Sequence, residues 1–416
     1  MRRRVFLIGI PHFDWKLIKL LVEREDFKNL KELLKESSYG DLVPQQDHCS
    51  SPVEFTSMIT GVKKEKHSIG YGAGSDKEYI KDGRMITRLD VKAKTIWKIA
   101  EENGKKVGVY HWLLSWPPEK INGFMITGRL SQDKNKTYPQ KLRETLDTDE
   151  FAIANRFNPW TAIQLSKVFD VDLFVGMDEG AHGPNHNLWE AIESKLEKED
   201  VLKGREELFK LYRWIDSFLE LAKKEFPEAT IIIVADSGMR LADTPTYCTG
   251  AETIELFKIL GVDMQLYAYD VYPSSLPKAK PTIYLPKRNL EEKGKIVEML
   301  SKVKIKSTEE RLIENIRWEG DRLSFTFNFH PSFVNYRSGN LELSLPNGND
   351  FNLWITKSTG VSVPWGGAFI TKGPSIKEDF FIGKIRTVDI APTILHLLNI
   401  KIPEYMDGKI FREIMK

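Results

Sequence analysis

Short apolar runs alternate along the chain with amphipathic stretches, and this alternation predicts the fold. The run 4–10 (RVFLIGI) precedes a helical stretch at 15–25, and the run 107–112 (VGVYHW) begins a second unit. A long helix is predicted at 207–226, directly before the strand 230–236. Strands that alternate with helices are typical of a sheet with helices on both faces. The sequence therefore predicts an α/β fold with a doubly wound, mostly parallel sheet.

Between about residues 253 and 359 the pattern changes to strand-like alternation around a single helix. The predicted segments are strands at 281–286, 313–319, 322–329 and 341–346 and a helix at 290–303. This pattern indicates an inserted α+β subdomain. We therefore predict a core in two parts, 1–252 and 360–416, with the inserted subdomain at 253–359.

Composition narrows the class of protein. The chain has 416 residues, of which 41% are hydrophobic and 29% charged, and this balance is typical of a soluble globular protein. A net charge of +2 gives no reason to expect a nucleic acid partner. Two cysteines exclude a disulfide framework and favour a cytoplasmic location. The apolar run after the N-terminal MRRR is too short for a signal peptide, and we expect no membrane segment.

Candidate metal ligands follow two of the apolar runs. Asp178 comes directly after the run 173–177, and His182 lies four residues further on. Asp236 follows the run 231–234. Because the carboxyl ends of parallel strands meet at one edge of a sheet, these side chains are predicted to converge there as a metal site.

Five segments together resemble one known family. They are 57–70, 107–128, 177–182 (MDEGAH), 235–240 (ADSGMR) and 387–408. They are similar to the alkaline phosphatase superfamily, in particular its type I phosphodiesterase/nucleotide pyrophosphatase-like branch. The resemblance covers about three quarters of the chain, all except the predicted insert.

The resemblance implies a particular chemistry. Members of the family cleave phosphate esters with two metal ions, usually zinc, and a serine or threonine at a helix start attacks phosphorus. Counting back from Thr60 places Ser51 at the position of the nucleophile. Asp178 and His182 match two ligands of one metal, and Asp236 matches a ligand of the other.

The family implies six metal-ligand positions. At three of them this chain has a residue other than the aspartate or histidine that the family implies. They are Pro11, Ser237 and Val363. Gly72 also stands where the pyrophosphatase branch has a phosphate-binding asparagine. We therefore expect zero or one divalent ion, zinc by preference, instead of two.

Neighbouring side chains offer a way to rebuild a single metal site. His12 follows Pro11, His48 lies just before Ser51, and His186 would share a helix face with His182. A set of three histidines or carboxylates is enough for one catalytic zinc with an open position. His12 and His186 therefore join Asp178, His182 and Asp236 as predicted metal ligands.

Ser51 also has a purely structural interpretation. The segment Ser51–Pro52–Val53–Glu54 is typical of a capping box, in which Ser51 caps a helix. In that box the Glu54 carboxylate would lie where phosphate oxygens must approach.

Two functions remain open. The chain is either a phosphodiesterase or phosphohydrolase that uses Ser51 and a reduced or rearranged metal centre, or a catalytically degenerate relative that binds a ligand or partner in the old cleft. A phosphomutase or phosphate transferase is disfavoured, because such enzymes of this superfamily also need both metals. The expected ligand is a small-molecule phosphate ester, and the sequence defines neither its identity nor the oligomeric state.

Overall fold

A computed structural model describes most of the chain: residues 2–45, 50–70, 80–81, 84–128, 136–145, 156–196, 198–249, 252–262, 282–285, 288–328, 330–334 and 338–416. His48 and Gly72, which the sequence analysis singled out, lie outside the described residues.

The core is a nine-stranded sheet. Its strands are β1 Val5–Gly9, β2 Ser38–Val43, β5 Val107–Tyr110, β6 Gly123–Ile126, β7 Thr137–Tyr138, β8 Leu173–Met177, β9 Thr230–Val234, β17 Gly367–Lys372 and β18 Phe380–Arg386. Their order across the sheet is β18-β2-β17-β9-β1-β8-β5-β6-β7. β17 is antiparallel to both of its neighbours and β7 is antiparallel to β6, whereas every other neighbouring pair is parallel. The sheet is therefore mostly parallel, as predicted.

Helices cover both faces of this sheet. The described helices are Trp15–Leu21, Lys28–Lys35, Ser51–Thr60, Lys64–His67, Ile96–Glu102, Leu142–Thr145, Pro159–Val168, His182–Leu188, Glu190–Glu193, Glu199–Glu225, Glu252–Ile259, Leu290–Leu300 and Ile390–Leu397. Short 3₁₀ turns lie at Glu25–Phe27, Arg88–Asp90, Pro331–Phe333, Thr387–Asp389 and Arg412–Ile414. No described helix combines the length and the apolar character needed to cross a membrane.

Strand β1 shows why its sequence is apolar throughout. Phe6 and Ile8 belong to the hydrophobic cluster on one face, which includes residues of helices Lys28–Lys35 and Glu199–Glu225. Val5 and Leu7 belong to the cluster on the other face, with residues of helices Ser51–Thr60 and Ile390–Leu397. Both sides of the strand are buried, so the periodicity of a half-exposed strand is absent. The predicted doubly wound α/β class is confirmed.

The remaining strands are β3 Ile80–Lys81, β4 Arg84–Met85, β10 Gly238–Thr249, β11 Thr282–Tyr284, β12 Lys304–Ile305, β13 Ile313–Glu319, β14 Arg322–Phe327, β15 Ser338–Ser344 and β16 Asp350–Val363. β3 pairs with β4. The others, between residues 238 and 363, form two smaller antiparallel sheets with the orders β10-β16-β15-β12 and β11-β14-β13. A third hydrophobic cluster has buried members only between residues 256 and 355.

Strand β16 connects this region to the core. It runs without a break across residue 359, and its last residues pair with the start of β10, where Val363 lies opposite Gly238. The boundaries of the inserted subdomain at 253 and 359 therefore stay a prediction. The 12-residue strand β10 had no strong sequence signal and was not predicted.

Candidate active site

The candidate site lies where three neighbouring parallel strands end. β1 is between β8 and β9, and its last residue, Gly9, is in register with Met177 of β8 and Val234 of β9. Each strand then turns into a loop at the same edge of the sheet. Asp178 and Asp236 follow β8 and β9, so the predicted convergence of these strand ends is present.

Three histidines meet at this edge. His12 follows β1 with a left-handed backbone (φ 58°), while His182 and His186 lie one turn apart on helix His182–Leu188. The ring centroid of His12 is 4.6 Å from that of His182 and 4.8 Å from that of His186. One nitrogen of each ring lies within 4.8 Å of a nitrogen of the others, so the three could bind one metal ion. We call these residues the histidine cluster.

Hydrogen bonds leave one ring nitrogen of two of these histidines available as a ligand. His186 Nδ1 donates to the carbonyl oxygen of Gly360 at 2.9 Å, which leaves a lone pair on Nε2. His12 Nδ1 is 2.8 Å from Ser237 Oγ, and the buried His12 Nε2 has no hydrogen-bond partner among the described residues. Burial lowers the pKa of His12 to about 3 and that of His186 to about 4, which favours the neutral, metal-binding form.

Asp236 connects the histidine cluster to Ser51. Its Oδ1 accepts the backbone N–H of His12 at 3.0 Å, and its Oδ2 accepts the hydroxyl of Ser51. The hydroxyl of Ser237 also donates to Oδ1, at 3.4 Å. Asp236 is buried, and burial raises its pKa. Asp236 therefore accepts hydrogen bonds from three groups, which belong to His12, Ser51 and Ser237.

Ser51 begins helix Ser51–Thr60, and the N-cap is the preceding residue, Ser50. The expected capping box is therefore wrong. Glu54 accepts the backbone N–H of Gln45 at 3.2 Å and the hydroxyl of Thr387 at 2.7 Å, so its carboxylate is held away from Ser51. The interpretation of Ser51 as a helix cap fails because its hydroxyl bonds Asp236, which only the tertiary structure brings near.

Asp178 has different partners from Asp236. Its Oδ1 accepts the backbone N–H groups of Phe157 at 3.1 Å and Gly180 at 3.2 Å. Its Oδ2 accepts the indole N–H of Trp214 at 2.9 Å. Burial raises the pKa of Asp178 to about 6. Within the described chain, the cluster that could hold a metal consists of the three histidines alone, and the assignment of Asp178 and Asp236 as ligands stays a prediction.

Pro11, Ser237 and Val363, at which the resemblance implies lost ligands, lie at the same edge. The carbonyl oxygen of Pro11 accepts from the amide of Asn185 at 3.3 Å, which links the loop after β1 to the helix that carries His182 and His186. Val363 is buried opposite Gly238, next to Ser237. The loss of metal ligands at these three positions stays a prediction.

Comparison with known proteins defines the class. Residues 5–325 match the profile of the type I phosphodiesterase / nucleotide pyrophosphatase family. This chain belongs to that family, and membership supports an activity of the phosphodiesterase or pyrophosphatase type. No curated protein sequence matches the chain.

Several solved structures are similar over the whole length of both chains. Human ectonucleotide pyrophosphatase/phosphodiesterase 5 is 14% identical, with a TM-score of 0.48. An inactive variant of the murine protein in complex with AMP is 13% identical, also with a TM-score of 0.48. The murine protein itself is 13% identical with a TM-score of 0.47.

Sequence reasoning missed the residues that hydrogen-bond two of the predicted ligands, His186 and Asp178. Gly360 acts through its carbonyl oxygen and Trp214 through its indole N–H, and neither lies in a motif near its partner. The only available signal was indirect, since a histidine ligand needs an acceptor for its second ring nitrogen. That requirement says nothing about where in the chain the acceptor lies.

Proposed function

We propose that this protein hydrolyses a small phosphate diester or pyrophosphate, with Ser51 as the nucleophile. One divalent ion, zinc by preference, is bound by His12, His182 and His186. The observation that carries the proposal is the position of Asp236, which accepts the hydroxyl of Ser51 and the backbone N–H of His12. The proposed nucleophile and one proposed metal ligand, His12, thus share one buried carboxylate.

The residues of the histidine cluster fit a metal. The unpartnered, buried Nε2 of His12 and the lone pair on His186 Nε2 are both suited to bind a cation. Three imidazoles are sufficient for one zinc ion with an open position. When bound, such an ion polarises a phosphate oxygen and offsets the negative charge that develops in the transition state. A second ion is not expected, because Pro11 and Val363 have no ligating side-chain atom.

Ser51 and Asp236 supply the nucleophilic step. Ser51 Oγ forms a bond to phosphorus while its proton passes to Asp236, and the bond to the leaving oxygen breaks. The leaving oxygen takes a proton from solvent. Water then displaces Ser51 from phosphorus, Asp236 returns the proton to Ser51, and the proton of the water goes to solvent. Because burial raises the pKa of Asp236, it is a stronger base than an exposed carboxylate.

This proposal changes two of the roles expected from the sequence. Asp236 becomes a proton acceptor that aligns Ser51, because its oxygens are already held by donors from the protein. Asp178 becomes a structural residue, because two backbone N–H groups and Trp214 hold its carboxylate. The sequence expectation of at most one ion is retained.

The decisive experiment combines metal analysis with hydrolysis of a generic diester, bis(4-nitrophenyl) phosphate. We expect one zinc per chain after dialysis, and release of nitrophenolate by the zinc-loaded protein. Ser51→Ala should reduce this release by about a thousandfold or more while zinc stays bound, since covalent catalysis is lost and the ligands are intact. A 4-nitrophenyl phosphoryl group trapped on Ser51 and located by mass spectrometry would support the step directly.

Ser50→Ala is the matched control. Ser50 precedes Ser51, is also buried, and its side chain forms no cap hydrogen bond. Turnover should survive this change. Undiminished turnover in Ser51→Ala, or two zinc ions per chain, would contradict the proposal. Zinc bound by the histidines without any turnover would favour the alternative, a degenerate relative that uses the cleft for binding.

A further inference from the structure

Ser237 stands between the histidine cluster and Asp236. It is fully buried in the turn that joins β9 to β10. Its Oγ lies 2.8 Å from His12 Nδ1 and 3.4 Å from Asp236 Oδ1. The three side chains therefore form a continuous chain of hydrogen bonds that ends at His12.

The negative charge of Asp236 decides which groups donate and which accept along these hydrogen bonds. Asp236 accepts only, so the hydroxyl of Ser237 donates to it and keeps a lone pair for His12. His12 Nδ1 is then the donor, and its distance of 3.7 Å from Asp236 Oδ1 further favours a proton on this nitrogen. The proton on Nδ1 leaves Nε2 as a bare lone pair. Nε2 is the buried atom of His12 that has no partner in the described part of the chain.

The surrounding backbone holds Ser237 in place. A side chain at Gly238 would lie 1.9 Å from the carbonyl oxygen of Trp365, and one at Gly367 would lie 2.9 Å from the carbonyl carbon of Ser237. The backbone on either side of Ser237 is thus packed tightly against residues 365–367. This close approach restricts where Oγ can lie.

We propose that Ser237 is a positioning residue that fixes His12 in the Nδ1–H tautomer and directs its Nε2 toward His182 and His186. The part of this inference that concerns metal rests on the proposed function, whereas the tautomer is a property of the protein alone. Hydrogen bonds to the second nitrogen of a histidine ligand are a general means of tuning metal affinity. Ser237, at a position where the resemblance implies a metal ligand, thereby supports a ligand on the neighbouring loop.

The first test needs no metal. Histidine ring ¹⁵N spectra of the metal-free protein, assigned for His12 with His12→Gln, report which nitrogen carries the proton. We expect Nδ1–H in the wild type and in Ser237→Thr, which keeps the hydroxyl, and a shift toward Nε2–H in Ser237→Ala. An Nε2–H tautomer in the wild type, or an unchanged tautomer in Ser237→Ala, would overturn the inference.

The second test measures zinc affinity by competition with a chromophoric chelator. Ser237→Ala should weaken binding by about 10–100-fold, and Ser237→Thr should restore most of it. Ser166→Ala is the matched control, because Ser166 is also fully buried and, among the described residues, its hydroxyl bonds only Ala162 of its own helix. Wild-type affinity in Ser237→Ala would count against the positioning role.

The two proposals fail in different ways. If the wild type binds no zinc, but Ser237→Ala changes the tautomer as expected, the metal centre is refuted and the role of Ser237 is supported. If the wild type binds zinc, and Ser237→Ala changes neither the tautomer nor the zinc affinity, the metal centre is supported and the role of Ser237 is refuted. If Ser237→Thr does not fold, the tautomer in Ser237→Ala decides the inference.

Discussion

Asp178 and Asp236 follow the same sequence pattern and have different surroundings. Each comes shortly after a buried parallel strand, and the two strands lie on either side of β1. Burial raises the pKa of both. Asp178 accepts from two backbone N–H groups and an indole, all of which belong to the scaffold. Asp236 accepts from Ser51, from Ser237 and from the backbone of His12.

This difference shows that position at the carboxyl edge is necessary for a functional carboxylate but not sufficient. The donors that reach the carboxylate decide its role. Those of Asp178 fix a loop to helix Glu199–Glu225, through Trp214. Those of Asp236 come from the elements that carry the proposed nucleophile and a metal ligand. The comparison therefore predicts that loss of Asp178 affects stability, and that loss of Asp236 affects turnover.

The largest effect should come from Asp236→Asn. The amide cannot accept the proton of Ser51, so turnover of bis(4-nitrophenyl) phosphate should fall by about a thousandfold, or ~4 kcal/mol of transition-state stabilisation. The free energy of unfolding should change little, because the amide keeps one oxygen acceptor. Asp178→Asn is the comparison variant and should leave turnover near that of the wild type. Equal losses in both variants would remove the distinction between the two carboxylates.

Asp178→Ala should have the next largest effect, this time on stability. It leaves the N–H groups of Phe157, Gly180 and Trp214 without their acceptor, and each such buried donor costs about 1–3 kcal/mol. We expect a net loss of ~3–4 kcal/mol in the free energy of unfolding, measured by urea denaturation. Trp214→Phe removes one donor only and should cost ~1–2 kcal/mol. Zinc affinity of the folded protein should be unchanged in both, and a large loss would identify Asp178 as a ligand.

Glu54, whose pKa is influenced by the charge of Asp236, should have a smaller effect on stability that depends on pH. Burial, with a contribution from the charge of Asp236, raises the pKa of Glu54 from 4.5 to about 7. The folded state thus holds this proton more tightly than the unfolded state. The resulting stabilisation is full below pH 4.5 and is lost as the pH rises through about 7. The shift corresponds to about 3 kcal/mol at most.

Glu54→Gln isolates this contribution, because the amide imitates the protonated form at every pH. The stability of this variant relative to the wild type should increase between about pH 4 and pH 8. Urea denaturation at matched pH values measures the difference. In an Asp236→Asn background the change should move to lower pH, since one neighbouring charge is gone. A difference that does not vary with pH would show that Glu54 titrates normally.

Much of the fold could be predicted because its signals are local. The run of apolar residues in β1 and the alternation in β13, which begins and ends as predicted at Ile313 and Glu319, depend only on nearby residues. Strand β10 was missed because its residues lack a clear period of two. Its pairing with β16 joins segments that are more than 100 residues apart in the chain.

The candidate site was predictable in part for the same reason. His182 and His186 share a helix face because of their spacing, and His12 follows a recognisable strand. Spacing could not show that His12 lies beside His182 and His186, because those two residues follow a different strand, β8. The correct partner of Glu54 was missed because Thr387 lies more than 300 residues away.

The sequence by itself determined the α/β class, the family, and the edge of the sheet at which Ser51, Asp178, Asp236 and the histidines gather. These follow from apolar periodicity and from motifs, which are properties of short segments. Only the tertiary structure decided which donors reach each carboxylate and which nitrogen of His12 is left without a partner. The physical reason is that a hydrogen bond depends on distances of about 3 Å between atoms, and for distant residues these distances are set by the packing of the whole chain.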